Sequence, residues 1–461
     1  MNTETISGLD EERTPDLILV NSPLRNYDER PRDNFEVLPP FGLGYIATQS
    51  WSEGHNVGLI DAEHHGIGPS RLAEAVNVLN PRFAGINVLT PSRKQALKFA
   101  RKLNKNIPLL IGGAHASAMI KRTLKEFTDV HSKVILIPGE AELAVVAFLD
   151  GQNPHEIPGA FWLDNEELKW QGDPLLSNDL NKLPFLNREF LANDPSMDSH
   201  TGKIESRILT SRGCPFNCSF CSGARDSLGT PVRHRNPSNV AKEISKLTEG
   251  NAIESTRFID DLLISSRKRI KSILEAMDNA GIPIISWDAT GRANIISRFD
   301  DEFLNYLKTH GAHEIAIGIE SASEKLRKRI NKQASMAEIL KSVKKLTDHN
   351  IKVKGYFIIG LPTETKEETM TTINLAKQLT NQYPDQFRGS VFIFRPYPGT
   401  QEWNWLIQQG YQENDLLDMH AEGTGKRAKH QVLTTQQFGE YTPQELSNIL
   451  TKYNRWQNGN F

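Results

Sequence analysis

RILTSRGCPFNCSFC (207–221) is the stretch on which the reading of this chain turns. RILTS (207–211) is a β-rich run, and Arg212, Gly213, Pro215 and Asn217 then give loop chemistry around Cys214, Cys218 and Cys221. A strand that ends in such a loop, with strand and helix alternating after it, reads as the first unit of a β/α barrel. Active sites of that architecture lie at the carboxyl ends of the strands. Further strands are expected in STRFID (255–260), PIISWDAT (283–290), EIAIGIE (314–320), VKGYFIIG (353–360) and SVFIFRPY (390–397). Helical patterns such as SNVAKEISKLTE (238–249) and RKRIKSILEAMDNA (267–280) separate them. Six such units make a partial barrel, short of the full eight.

Upstream, DLILVNSP (16–23), NVGLIDAE (56–63), FAGINVLT (83–90), IPLLIGGAH (107–115) and KVILIPGE (133–140) are apolar at consecutive positions. That pattern suits strands of a parallel sheet covered on both faces, so residues 16–150 read as a Rossmann-like α/β domain behind a polar tail, 1–15. Residues 151–200 read as a connector containing a small hairpin, GAFWLDNEELKWQG, that turns at Asp164-Asn165. The barrel is expected over 201–400. Residues 401–461 read as a small helical extension, with a helix-start signal at Thr442/Pro443 followed by Glu445.

A length of 461 residues suits two or three domains. The 54 basic and 56 acidic residues nearly cancel and neither end carries a basic run, which argues against nucleic acid or an anionic membrane as partner. A small or neutral substrate fits better. The N-terminus, MNTETISGLDEERTPD, is polar and acidic where a secretory signal is basic and then apolar, and no apolar run reaches the roughly 18 residues of a membrane span. A soluble, cytoplasmic protein is expected. All three cysteines fall between 214 and 221, which excludes a disulfide framework and points to a metal in a reducing compartment.

A four-iron cluster takes four thiolates, so three cysteines leave one iron open, and an open metal position binds substrate. A zinc site would need a further ligand, and His200 and His234 stand in no recognised spacing to the thiols. The spacing of three and then two residues, with Phe220 before the third cysteine, resembles the signature of the radical S-adenosylmethionine (SAM) superfamily. The barrel downstream resembles its core through residue 400. The resemblance implies a [4Fe–4S] cluster on Cys214, Cys218 and Cys221, with SAM on the open iron and its cleavage to methionine and a 5′-deoxyadenosyl radical. It also implies SAM contacts from Phe220, from Asp260 and Asp261 of FIDD (258–261), from Arg292, from Glu320 and Ser321 of GIES (318–321), and from Pro396 of RPYPGT (395–400). GLPTET (360–365) resembles the fifth strand end. For any one charged residue alone, a helix cap or a surface ion pair is an equal alternative.

A Rossmann-like domain ahead of such a barrel resembles the cobalamin-binding arrangement of one large subgroup, in PPFGLGYIA (39–47), LIDAEHHG (59–66), IGGAHAS (111–117) and PGEAE (138–142). The resemblance implies cobalamin contacts from Gly42, Gly44, Tyr45, Thr90, Gly112, Gly113, His115 and Glu140. Gly42-x-Gly44-x-x-Ala47 matches a dinucleotide fingerprint, but Leu38-Pro39-Pro40 precedes it where a buried strand is required. Asp-x-His-x-x-Gly, the cobalt-ligating motif of methionine-synthase-type domains, is broken by Glu63 at the histidine position, and His64 and His65 read as polar loop residues. The subgroup implies a methyltransferase acting on an unactivated carbon of a small molecule in specialised metabolism, with an external electron donor such as flavodoxin or ferredoxin. Relatives that end in cyclisation, ring contraction or rearrangement share the same domains and the same first hydrogen abstraction. A corrinoid or redox sensor is the non-enzymatic alternative.

Overall fold

Strands buried on both faces must find helices on both faces, and the upstream apolar runs do so. The computed structural model describes residues 5–32, 37–198, 201–251, 253–422 and 431–459, and His200 lies outside them. Each upstream run contributes one strand: β1 (Leu17–Asn21), β2 (Val57–Asp61), β3 (Phe83–Asn87), β4 (Leu109–Gly112) and β5 (Val134–Leu136). They pair in parallel in the order β2-β1-β3-β4-β5. Ile18, Val20 and Ile86 enter one core with Phe99 and Leu124, while Leu17, Leu19 and Leu110 enter a second with Leu43 and Phe148. Strand order reverses between β1 and β3, the position outside which doubly wound sheets bind ligands.

The expected hairpin forms as β6 (Phe161–Asp164) and β7 (Glu167–Trp170), but its turn is Asn165-Glu166, both at positive φ. Two such central residues match the right-handed twist of the flanking strands. β6 pairs with β5 through Phe161 and Leu136, so the hairpin extends the first sheet instead of standing apart as a connector. This first compact unit comprises Met1–Asp194 with Tyr397–Gly399 and Leu417–Leu433.

The second unit comprises Pro195–Pro396, Thr400–Leu416 and Thr434–Phe461. It begins with the short β8 (Ser196–Met197), then β9 (Ile204–Ile208) and a ribbon of β10 (Ser211–Arg212) and β11 (Arg233–His234) that brackets the cysteine loop. The sheet continues with β12 (Ser255–Phe258), β13 (Ser286–Gly291), β14 (Ala312–Glu320), β15 (Lys352–Ile359) and β16 (Phe387–Ile393). β9 and β12 to β16 are six parallel strands in sequential order, the expected partial barrel, and β8 adds an antiparallel edge. β9 ends earlier than the sequence suggests because Asp260 takes hydrogen bonds from Thr210 N–H and from the hydroxyls of Thr210 and Ser211.

The C-terminal stretch is not purely helical. β17 (Met419–Glu422) and β18 (Gln431–Thr434) form a two-stranded ribbon before the last helix, Pro443–Asn458. Each strand is only four residues long and partly polar, too short for a periodicity reading to detect. The last helix starts with Thr442 and Glu445 in a reciprocal capping box. Among the described residues no helix is long and apolar enough to cross a membrane.

Candidate active site

The cysteine loop leaves the end of β10 through Gly213, whose φ of +92° suits glycine. Inside it Cys221 N–H donates to the Cys218 carbonyl (3.1 Å), Ala224 N–H to the Cys221 carbonyl (3.2 Å) and Arg225 N–H to the Phe216 carbonyl (3.0 Å). The three thiols are half-buried and unbridged. Burial pushes the Cys214 thiol up and the Cys221 thiol up to about 11, against backbone N–H groups that favour the thiolate. Metal binding at such a site must therefore release protons.

Among the described residues no three His, Cys, Asp or Glu side chains converge on a point that one ion would occupy. A single zinc needs its sulfurs at about 2.3 Å from one centre, whereas a cluster spreads one thiolate to each iron. The three thiols of the loop lie near enough for Cys218 to raise the pKa of both Cys214 and Cys221. His234 is exposed and faces Ser211 across the ribbon.

Arg292, just after β13, is buried and stands against this loop. Its Nη1 lies 3.8 Å from Cys218 Sγ and its guanidinium 3.6 Å from the centre of the Phe216 ring, while Nε and Nη2 have no hydrogen-bond partner. A buried guanidinium with unpartnered donors suits an anion, and a carboxylate matches its fork. Phe216 was not singled out from sequence, because an arginine–aromatic pair so distant in the chain leaves no spacing signal.

The remaining expected SAM residues divide by what already holds them. Asp260 is fully buried, its carboxyl pushed up by desolvation, and both its oxygens are taken by Thr210 and Ser211. These bonds fix the strand end. Asp261 has an exposed face but packs against the loop, which raises its pKa, and it accepts the Gly213 N–H. Glu320 ends β14 in the left-handed region (φ +64°) beside a register shift, and its Oε1 lies 2.8 Å from Lys332 Nζ. Non-glycine residues adopt that conformation at a cost, and such positions cluster at functional sites. Ser321 is buried, its hydroxyl shared with Thr372 and with Ser323 N–H. Phe220 is half-buried and Pro396 buried.

Lys332 is one functional candidate the sequence reading missed. Glu364, in GLPTET, is another. It is buried, accepts the N–H groups of Gly360 and Leu361, and has its pKa raised to about 7 by burial.

In the first unit, an apolar slot of about 60 Å³ opens near the carboxyl ends of β1, β3 and β4. Gly85, Gly112, Gly113 and Gly139 line it, with Leu43 and Ile46 of the helix Phe41–Ser52 opposite. Gly113 has φ +97°, and a Cβ there would lie 2.8 Å from Val88 backbone atoms. A narrow, glycine-walled slot at the switch point fits the insertion of an elongated part of a large cofactor. Of the expected cobalamin residues, Gly112 and Gly113 line this slot. Gly44 instead packs against Leu186 and Leu191, Gly42 has open space beside it, and Tyr45 is buried on the same helix. His115 shares a hydrogen bond with Thr90 (3.2 Å), and burial lowers its pKa to about 4. Its charged neighbours Arg93, Glu126 and Arg122 lie on helices that cover the other face of the sheet, so the slot does not gather Thr90 and His115. Glu140 is half-buried beside Gly139.

Glu63, in the histidine position of the broken motif, is tied down by Leu24 N–H and the Tyr27 hydroxyl, both at 2.8 Å. Asp61 accepts from Asn21 (2.7 Å) and Asn21 from Asn87 (2.9 Å), a polar chain across three strand ends.

Residues 208–376 match the family model of the radical SAM superfamily, and residues 35–149 match that of the B12-binding domain. An uncharacterized methyltransferase of Pyrococcus horikoshii is 29% identical over 421 residues, covering 90% of this chain and 86% of the relative. An anaerobic magnesium-protoporphyrin IX monomethyl ester cyclase of Cereibacter sphaeroides is 25% identical, covering 80% of this chain and 61% of the relative. Among solved structures, the radical SAM methyltransferase TsrM of Kitasatospora setae shares the fold, with a TM-score of 0.69 at 15% identity over 96% of this chain and 91% of that one. With a B12-binding domain followed by a radical SAM domain, the chain belongs to the cobalamin-binding-domain-containing radical SAM superfamily of enzymes.

Proposed function

We propose that this enzyme transfers a methyl group to an unactivated carbon of a small molecule in specialised metabolism. The observation that carries the reading is Arg292, a buried guanidinium with unpartnered donors against a loop of three thiols, in a chain whose other unit bears a glycine-lined slot. When bound, the [4Fe–4S] cluster and SAM supply a 5′-deoxyadenosyl radical, and cobalamin supplies a transferable methyl group. Cys214, Cys218 and Cys221 would hold the cluster. Arg292 would neutralise the SAM carboxylate, and Phe216 would orient the guanidinium by cation–π contact.

Glu320, steadied by Lys332, would accept from the ribose hydroxyls, with Asp261, Phe220 and Pro396 bordering the same strand ends. Gly112 and Gly113 would admit the cobalamin tail, and Leu43 and Ile46 would exclude water from it. A flavodoxin- or ferredoxin-like protein would supply electrons. Similarity to methyltransferases over 90% of the chain supports methyl transfer. Similarity to a ring cyclase keeps cyclisation as the second reading. Product mass separates them: anaerobic turnover on an accepted substrate should add one methylene unit, and an unchanged or hydrogen-depleted mass would favour the cyclase reading.

A further inference from the structure

We propose that Glu402 and Arg329 clamp the cysteine loop through Ser219 and so set both the position of the cluster thiols and the electrostatic field around them. The inference rests on the radical SAM reading of that loop. Ser219 lies between Cys218 and Phe220, is buried, and has every polar group engaged by other elements. Its N–H donates to the Ile330 carbonyl (3.1 Å), its carbonyl accepts from Glu402 N–H (3.0 Å), and its hydroxyl donates to Glu402 Oε1 (2.8 Å). Arg329 completes the clamp, with Nη1 3.1 Å from Oε1, Nη2 3.0 Å from Oε2, and its guanidinium 4.1 Å from the centre of the Trp405 ring.

Glu402 is only 2% exposed. It sits in the first turn of the helix Gln401–Gln408, where the helix N-terminus favours a carboxylate. A buried ion pair is a poor device for stability alone, since apolar residues of the same volume do as well or better. Here it holds Ser219, the loop residue between a cysteine and the aromatic before the third cysteine. The carboxylate and the guanidinium act in a low-dielectric interior one residue from Cys218, so an imbalance between them is felt at the cluster. Removing the negative charge leaves Arg329 uncompensated and favours the reduced, more negative cluster. Removing the cation has the opposite effect. Glu402 and Arg329 are therefore positioning residues, with no contact to substrate required.

The test is an EPR-monitored redox titration of the full-length protein, reconstituted anaerobically with iron and sulfide. Glu402→Gln should shift the midpoint potential upward, Arg329→Gln downward, and the double variant should return towards wild type. Ser219→Ala keeps both charges, so it should keep the potential while losing iron to a chelator several-fold faster. Loosening of the fold alone would move both single variants in one direction. Wild-type potentials in the single variants, or shifts of the same sign, would overturn the clamp. If a charge variant does not fold, wild-type iron retention in Ser219→Ala overturns it instead. A wild-type chain that forms no cluster would overturn the radical SAM reading and the clamp with it.

Discussion

Replacing Arg292 with methionine separates what the side chain does to the fold from what it does for the ligand. Its Nε and Nη2 are buried without acceptors, and each unsatisfied donor destabilises by about 1–3 kcal/mol. The Phe216 ring at 3.6 Å offsets about 1–2 kcal/mol of that. Methionine keeps the apolar stem and fills similar space, so the ligand-free variant should be more stable by about 1–4 kcal/mol, the roughly 2–6 kcal/mol of the two donors less the cation–π offset. In a unit of this size that raises the melting temperature by about 2–4 °C per kcal/mol. SAM binding should move the other way. Charge-assisted hydrogen bonds to a carboxylate contribute about 1.5–3 kcal/mol, so the dissociation constant should rise roughly 10- to 100-fold. Thermal unfolding of the apo protein and anaerobic equilibrium dialysis of SAM on the reconstituted protein read the two effects. A variant that melts lower than wild type and binds SAM with wild-type affinity would refute the reasoning.

Three further outcomes follow from the same geometry. The Glu364 carboxyl, raised from 4.5 to about 7 by burial, holds a proton in the folded chain that the unfolded chain loses between those values. Its contribution is fully present below pH 4.5 and is lost as pH rises through 7, about 3 kcal/mol in all, so urea melts of Glu364→Gln should show a flatter decline from pH 5 to pH 8 than wild type. Ile46→Phe should fill the slot in the first unit, lowering cobalt content after cobalamin loading about tenfold. Circular dichroism melts should show the apo fold changed by less than about 2 kcal/mol. Asp260→Ala removes the acceptor shared by Thr210 and Ser211 and should destabilise the protein by about 2–4 kcal/mol, measured by chemical unfolding.

Much of this architecture was legible because its signals are local. Consecutive apolar runs gave the five parallel strands of the first sheet, and the run before the cysteines with the alternation after them gave the six parallel strands of the second. What stayed hidden depends on side chains far apart in sequence. Asp260 reads as a ligand from FIDD alone, and only the fold shows Thr210 and Ser211 closing on it. His115 follows a glycine pair that suggests cofactor contact, yet it lies in the short helix Ala114–Ala118 and its charged neighbours lie on the face away from the slot. The wall of that slot is set by Leu43 and Ile46, ordinary apolar residues with no motif, while the adjacent Gly44 serves helix packing. Ser219 and Glu402 are 183 positions apart, and nothing in either segment announces the other.

Quantifying 5′-deoxyadenosine by mass spectrometry, after anaerobic reconstitution and incubation with SAM and a reductant, tests the central claim most directly. The wild-type protein should accumulate 5′-deoxyadenosine, and Cys218→Ala should accumulate none. A wild-type protein that carries a full cluster, binds SAM and forms no 5′-deoxyadenosine would contradict the account.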